Sequence, residues 1–122
     1  MVHKNILLGA AILWTVAITI LSLVTLKVSD GGISNADKYV HFTFYFVFTT
    51  AWFLFLRSTS PKARIVKNII VCFFLAVAYG ALMEVLQGLL TVNRSADIMD
   101  ALANTTGSLA ASLILYRMYH NK

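Results

Sequence analysis

The sequence predicts an all-α membrane protein: a compact four-helix transmembrane bundle with short loops and both termini cytoplasmic. Three observations predict it. Four apolar stretches, Ile6 to Leu26, Tyr39 to Leu56, Asn68 to Leu90 and Ile98 to Met118, each approach the roughly 20 residues that cross about 30 Å of hydrocarbon. The chain of 122 residues is 59% hydrophobic and only 12% charged, which leaves too little polar surface to cover a soluble globule. The charges are also segregated. Lys4, Arg57, Lys62, Arg64, Lys67, Arg117 and Lys122 fall on one side of the predicted membrane, and Lys27, Lys38 and Arg94 on the other. The positive-inside tendency therefore puts both termini and the Arg57 to Lys67 loop in the cytoplasm. All five acids, Asp30, Asp37, Glu84, Asp97 and Asp100, then lie toward the outside.

The predicted helices span about 6–26, 37–57, 65–90 and 96–118 of a single domain, residues 1–122. The first run is longer than the apolar core of a secretory leader and no small-residue cleavage site follows Leu26, so it reads as a retained helix. Its Thr15, Thr19 and Ser22 stand at spacings of four and three and read as interhelical hydrogen-bond donors. Asp30-Gly31-Gly32 marks a turn, and Ser34 with Asp37 has capping-box spacing for the second helix. Ser60-Pro61 reads as a cap followed by proline at the first position of the third helix. Ser95 caps the fourth. Short connections make consecutive helices antiparallel neighbours. Trp52, Tyr39, Tyr116 and Tyr119 read as interface anchors.

Composition excludes some functions. The net charge of +5 is distributed as a topology signal, and the Arg57 to Lys67 loop has no aromatic residues interleaved, so no nucleic-acid partner is implied. The single cysteine, Cys72, permits neither a disulfide nor a CxxC site. No GxSxG, HExxH or P-loop occurs, and the reading assigns no cofactor and no resident metal.

Depth and facing gather the polar residues into one cluster. His41 and Tyr45 lie roughly 6 and 12 Å below Asp37, at 1.5 Å per residue. Asp100 and Asn104 lie at comparable depths on the fourth helix, and Glu84 and Gln87 occupy the same layer near the end of the third. Ala76, Gly80, Glu84, Gln87 and Gly88 share one side at spacings of three and four, as do Asp100, Asn104, Gly107 and Ala111. Small residues on those faces let helices approach closely. Asp37 and Asp97 sit in first turns, where carboxylates complement the positive helix ends. A carboxyl such as Glu84 inside the hydrocarbon layer marks a functional position.

The ordered set Asp37-Lys38-x-x-His41-x-x-x-Tyr45, Glu84-x-x-Gln87 and Arg94-x-x-Asp97-x-x-Asp100-x-x-x-Asn104-x-x-Gly107 resembles the VanZ-like family of small bacterial membrane proteins, over about Ser22 to Gly107. The resemblance marks those positions as the ones the family shares. Its founding member is associated with reduced susceptibility to the glycopeptide teicoplanin.

Two functions from different classes follow. In the first, an outward-facing polar intramembrane pocket built from Lys38, His41, Tyr45, Glu84, Gln87, Arg94, Asp100 and Asn104 binds an amphiphilic cell-envelope ligand. A lipid-linked cell-wall intermediate or a lipoglycopeptide antibiotic such as teicoplanin has the required parts. Lys38 and Arg94 would hold its phosphate or carboxylate beside two helix N-termini, while membrane lipids contact the rest of the bundle. In the second, the protein is an intramembrane hydrolase or transferase on a lipid-linked substrate, with His41, Glu84 and Asp100 as acid and base or as metal ligands. A proton pathway ranks below both, because the inner half of the bundle carries no ionisable residues to continue it. The sequence does not set the oligomeric state.

Overall fold

A computed structural model describes residues 2–23, 36–90 and 98–121. Four α-helices account for nearly all of them: α1 (Val2–Leu23), α2 (Ala36–Thr59), α3 (Ile65–Leu90) and α4 (Ile98–Tyr119), with a 3₁₀ turn (Lys62–Arg64) before α3. All four are long and apolar enough to cross a membrane, and no strand occurs among the described residues. Residues 24–26 and 96–97, which the sequence adds to the first and fourth helices, lie outside the described residues, as do Ser34 and Ser95.

Large side chains such as Leu13, Phe74, Leu89 and Ile98 are exposed by more than half. An apolar surface of that extent is stable only against lipid.

The element boundaries differ from expectation in two places. α1 begins at Val2, ahead of Ile6, and α2 continues past Arg57 to Thr59. The Ser58 and Thr59 hydroxyls there donate back to the carbonyls of Phe55 and Leu56, at 2.6 and 3.1 Å, satisfying terminal acceptors that would otherwise lack partners. Ser60 does not cap α3. Pro61, extended at φ −61° and ψ 155°, precedes the 3₁₀ turn with no side-chain cap, and its carbonyl accepts from the Arg64 amide at 3.0 Å.

Sequence neighbours do touch, but the most extensive pairing joins α2 to α4, ahead of α3 with α4 and α1 with α2. Residue pairs advance together along this seam, from Lys38 with Asp100 through His41 with Asn104 to Thr49 with Ser108, so α2 and α4 run parallel. α3 is antiparallel to both: its Ile69 and Cys72 pack in one cluster with Phe53, while Gly80 lies against Tyr45 and Asn104 farther along. The close approach of α2 and α4 depends on Gly107. A Cβ there would stand 2.2 Å from the Phe42 carbonyl oxygen and 2.9 Å from its carbon, both backbone atoms that cannot move aside.

The interior is layered along the bundle axis. At the end near the Pro61 turn, Phe53, Ile65, Ile69, Cys72 and Leu115 form an apolar core. In the middle, Ile18, Tyr45, Phe48 and Ala76 pack with Trp14, Phe44, Trp52 and Tyr79. The far end is polar.

α1 docks by hydrogen bonds from aromatic side chains: Trp14 Nε1 donates to the Phe44 carbonyl and Trp52 Nε1 to Thr15 Oγ1, both at 2.9 Å. Trp52 is therefore an internal bridge and not an interface anchor, because its indole N–H finds a hydroxyl within the bundle. Thr15 and Thr19 give their protons to Ala11 and Thr15 carbonyls of their own helix. Across the helix gap they act as acceptors, from Trp52 and from the Tyr79 hydroxyl respectively.

Gly107→Ala should destabilise the solubilised protein by about 1–3 kcal/mol through overpacking against rigid backbone. Gly9→Ala, where a Cβ meets nothing within 4 Å, should be neutral or stabilising by up to about 1 kcal/mol from helix propensity. Thermal unfolding in detergent compares the two, and equal stability would remove the close-contact account of the seam.

Candidate functional site

The polar end is assembled from one face of each of three helices. On α2, Lys38, His41 and Tyr45 follow at spacings of three and four and continue to Thr49. On α4, Asp100, Asn104 and Ser108 repeat every fourth residue. α3 contributes Glu84 and Gln87. His41, Tyr45, Glu84, Gln87, Asp100 and Asn104 are each at most 5% exposed, so their polar atoms depend on one another in a region where water does not compete.

Lys38 Nζ donates to Asp100 Oδ1 at 2.5 Å. The lysine side chain remains 30% exposed and the aspartate only 4%, so Lys38 brings a charge from the accessible edge to a buried carboxylate. His41 Nδ1 lies 2.9 Å from Asn104 Oδ1. That oxygen only accepts, so Nδ1 carries a proton. Nε2 then faces Asp100 Oδ2 at 3.5 Å, an approach that a proton or a cation on Nε2 would satisfy and that a bare lone pair would disfavour. Gln87 Nε2 donates to the Ser22 carbonyl at 2.6 Å, tying the last turns of α3 and α1 together beside the cluster. One donor atom from each of His41, Glu84 and Asp100 lies within 4.8 Å of the others.

Two buried polar atoms here have no hydrogen-bond partner among the described residues: the Tyr45 hydroxyl and Asn104 Nδ2. Gly80 makes room for both side chains. A Cβ on it would stand 3.0 Å from Asn104 Nδ2 and 3.4 Å from Tyr45 Cε2. One level deeper, Thr49 and Ser108 hydroxyls pair at 2.7 Å, and Ser112 donates to the Ser108 carbonyl at 2.8 Å.

The structure thus brings Lys38, His41, Glu84, Asp100 and Asn104 together, with Tyr45 at the inner margin and Gln87 at the opposite one, a turn beyond Glu84. Gly80 and Gly107 occupy close helix contacts. Gly88 does not share that face: it is exposed, because Gln87 turns the buried stripe one position before it. Arg94 and Asp97 lie outside the described residues, and Asp37 is placed only as a backbone position of α2. Thr49, Ser108 and Tyr79 were not anticipated. The spacing of four that links His41 to Tyr45 and Asp100 to Asn104 continues to Thr49 and Ser108 and would have found both; Tyr79 carries no comparable signal.

Four membrane-length helices enclosing a polar, ionisable cluster at one end define a small multi-pass membrane protein with an intramembrane polar centre. The chain belongs to the VanZ/LLP1 family, whose sequence profile matches residues 6–119. No curated protein and no solved structure matches it significantly.

A double-mutant cycle between His41→Ala and Asn104→Ala should show coupling of about 0.5–3 kcal/mol. A cycle pairing His41→Ala with Asn68→Ala, roughly 24 Å farther along α3 from Glu84, should be additive. Additivity in the first cycle would separate the two side chains.

Proposed function

We propose that this polar centre recognises the head group of an amphiphile in the outer leaflet of the bacterial cytoplasmic membrane. The ligand class is a lipid-linked cell-wall intermediate or a lipoglycopeptide such as teicoplanin. The observation that carries this reading is the convergence of Lys38, His41, Glu84, Asp100 and Asn104 from three helices at one end of an otherwise apolar bundle. Close packing and neutral interhelical hydrogen bonds are enough to hold helices together in lipid, whereas ionisable side chains buried there are costly and mark a functional position.

Lys38 supplies an ammonium at the accessible edge, and an incoming phosphate or carboxylate competes with Asp100 for it. Asn104 Nδ2 and the Tyr45 hydroxyl offer further hydrogen bonds to the head group. The acyl chain lies along the exposed apolar helix surfaces, where burial in lipid costs nothing. Membership of the VanZ/LLP1 family supports an envelope role of this kind, since the VanZ-like resemblance carries an association with teicoplanin susceptibility.

Orientation follows from the basic residues. Lys4, the Arg57 to Lys67 loop and the C-terminal Arg117 and Lys122 favour the cytoplasm, which turns the polar end outward. In intact cells, with Cys72→Ala as background, Gly31→Cys and Ser95→Cys should react with a membrane-impermeant maleimide and Thr59→Cys should not. Labelling of Thr59→Cys alone would invert the orientation.

A second reading, an intramembrane hydrolase or transferase on the same kind of lipid, is favoured by one observation: the donor atoms of His41, Glu84 and Asp100 are mutually close enough for one group to take a proton while another delivers one.

Expression in a susceptible Gram-positive host separates these. Under head-group recognition, the inhibitory concentration of an acylated glycopeptide rises more than that of an unacylated relative, Asp100→Ala abolishes the difference at unchanged membrane abundance, and Glu84→Gln retains most of it. Under acid-base chemistry, Glu84→Gln loses as much as Glu84→Ala. Equal shifts for both antibiotics, or none, would count against recognition within the leaflet.

A further inference from the structure

We infer that His41, Glu84 and Asp100 form a binding site for one divalent transition-metal ion of the zinc and manganese class. The inference goes beyond head-group recognition and stands on donor geometry alone.

Three observations carry it. One imidazole nitrogen and two carboxylate oxygens, one from each of three helices, lie within 4.8 Å of one another, and all three residues are buried. Two donors of a tetrahedral ion held at about 2.1 Å stand about 3.4 Å apart. His41 Nε2 and Asp100 Oδ2 are already at 3.5 Å, and bringing the widest separation, at most 4.8 Å, to that spacing asks for a shift on the order of 1 Å.

The second observation is the state of the histidine. Its Nδ1 proton is directed to Asn104 Oδ1 at 2.9 Å, which leaves Nε2 as the nitrogen turned to the carboxylates. A metal-bound histidine ordinarily donates its other ring N–H to an oxygen acceptor, which sets the tautomer and the ring plane. Lys38 does the same for Asp100. By holding Oδ1 at 2.5 Å it turns Oδ2 toward His41.

The third is the lining. The Tyr45 hydroxyl and Asn104 Nδ2, both at least nine-tenths buried, lack a hydrogen-bond partner among the described residues and border the same three side chains. A water or ligand oxygen in the remaining coordination positions would engage them.

Mixed imidazole and carboxylate donors select the ion. Imidazole suits zinc, iron, nickel and copper, while carboxylates suit manganese, magnesium and calcium; a set of one and two is met best where the preferences overlap. Cys72, the single thiol, is buried in the apolar core at the other end of the bundle, so the site contains no thiolate. Three protein ligands leave positions open, as in metal sites that bind a substrate oxygen. An ion held there would attract a phosphate oxygen of an incoming head group.

The test counts metal on the full-length protein purified in detergent, stripped with a chelator and dialysed against Zn²⁺ or Mn²⁺ separately. Wild type should retain one ion per chain. His41→Ala and Asp100→Asn should lose it, and Asn104→Ala should weaken it by about 10–100-fold as an outer partner of the histidine. The exposed His3 and His120 are the surface sites for adventitious metal, so the double variant His3→Ala, His120→Ala should bind as wild type does. X-ray absorption of the zinc-loaded wild type should show nitrogen and oxygen neighbours including one imidazole. This spectrum needs no variant to fold.

Metal retained by His41→Ala but lost from the His3, His120 double variant would overturn the assignment. So would sulfur in the first coordination sphere, or no ion above the His41→Ala background. Head-group recognition by Lys38 and Asn104 does not require the ion, so a metal-free protein that still discriminates acylated glycopeptides would sink this inference and leave the functional reading intact.

Discussion

The α2–α4 seam is the contact on which the rest of the structure depends, and one missing Cβ permits it. At Gly107 the backbone of α4 meets the Phe42 carbonyl at a distance no other residue allows. Lipid gives helices no hydrophobic reason to associate, so tight packing and interhelical hydrogen bonds must hold them together. The seam supplies both. Once the backbones approach at Gly107, the shorter side chains above and below it reach across: Lys38 to Asp100, His41 to Asn104, Thr49 to Ser108. A separation larger by one methyl group would strain the Asn104 bond, because neither partner has slack to spare, whereas Lys38 could extend. The polar centre is thus a consequence of backbone packing as much as of its own residues.

The same seam explains why polarity is confined to one end. Beyond Ser108 and Ser112 the facing surfaces become Phe53, Leu115 and their neighbours, and no ionisable group other than Cys72 is buried among the described residues there. A path for protons or ions across the membrane would need groups at intervals through that layer. What the described residues offer is a polar centre at one end, backed by aromatic and aliphatic packing toward the other. Among the described residues the buried ionisable cluster therefore stays at one end of the bundle.

Much of this was legible in the sequence, for physical reasons that also mark where legibility stops. Helix existence followed from apolar runs of membrane length, and depth from counting residues along a helix of fixed rise; these placed His41, Glu84, Asp100 and Asn104 in one layer. Partner choice was harder. Short loops argue for consecutive neighbours, yet the most extensive contact joins α2 to α4, because a single glycine outweighs proximity along the chain. Gly107 was recognisable as a small residue on the polar face, but so was Gly88, which faces outward. Spacing alone does not say where a buried stripe ends. Trp52 looked like an interface anchor by residue type and proved internal, since a threonine one helix away accepts its N–H.

Lys38 connects the buried centre to its surroundings. An aspartate 4% exposed and a lysine 30% exposed make an asymmetric pair: the carboxylate depends on the ammonium, while the ammonium retains access to the exterior. Removing the lysine would take a charge-assisted partner from a buried carboxylate, which is costly. An anion arriving from outside changes the balance less, because the lysine can contact it while still near Asp100. Asp100 in turn divides its two oxygens between Lys38 and His41, so any shift of the ammonium is felt at Nε2 of the imidazole and, through Nδ1, at Asn104. The accessible edge is therefore linked to buried Asn104 through Lys38, Asp100 and His41.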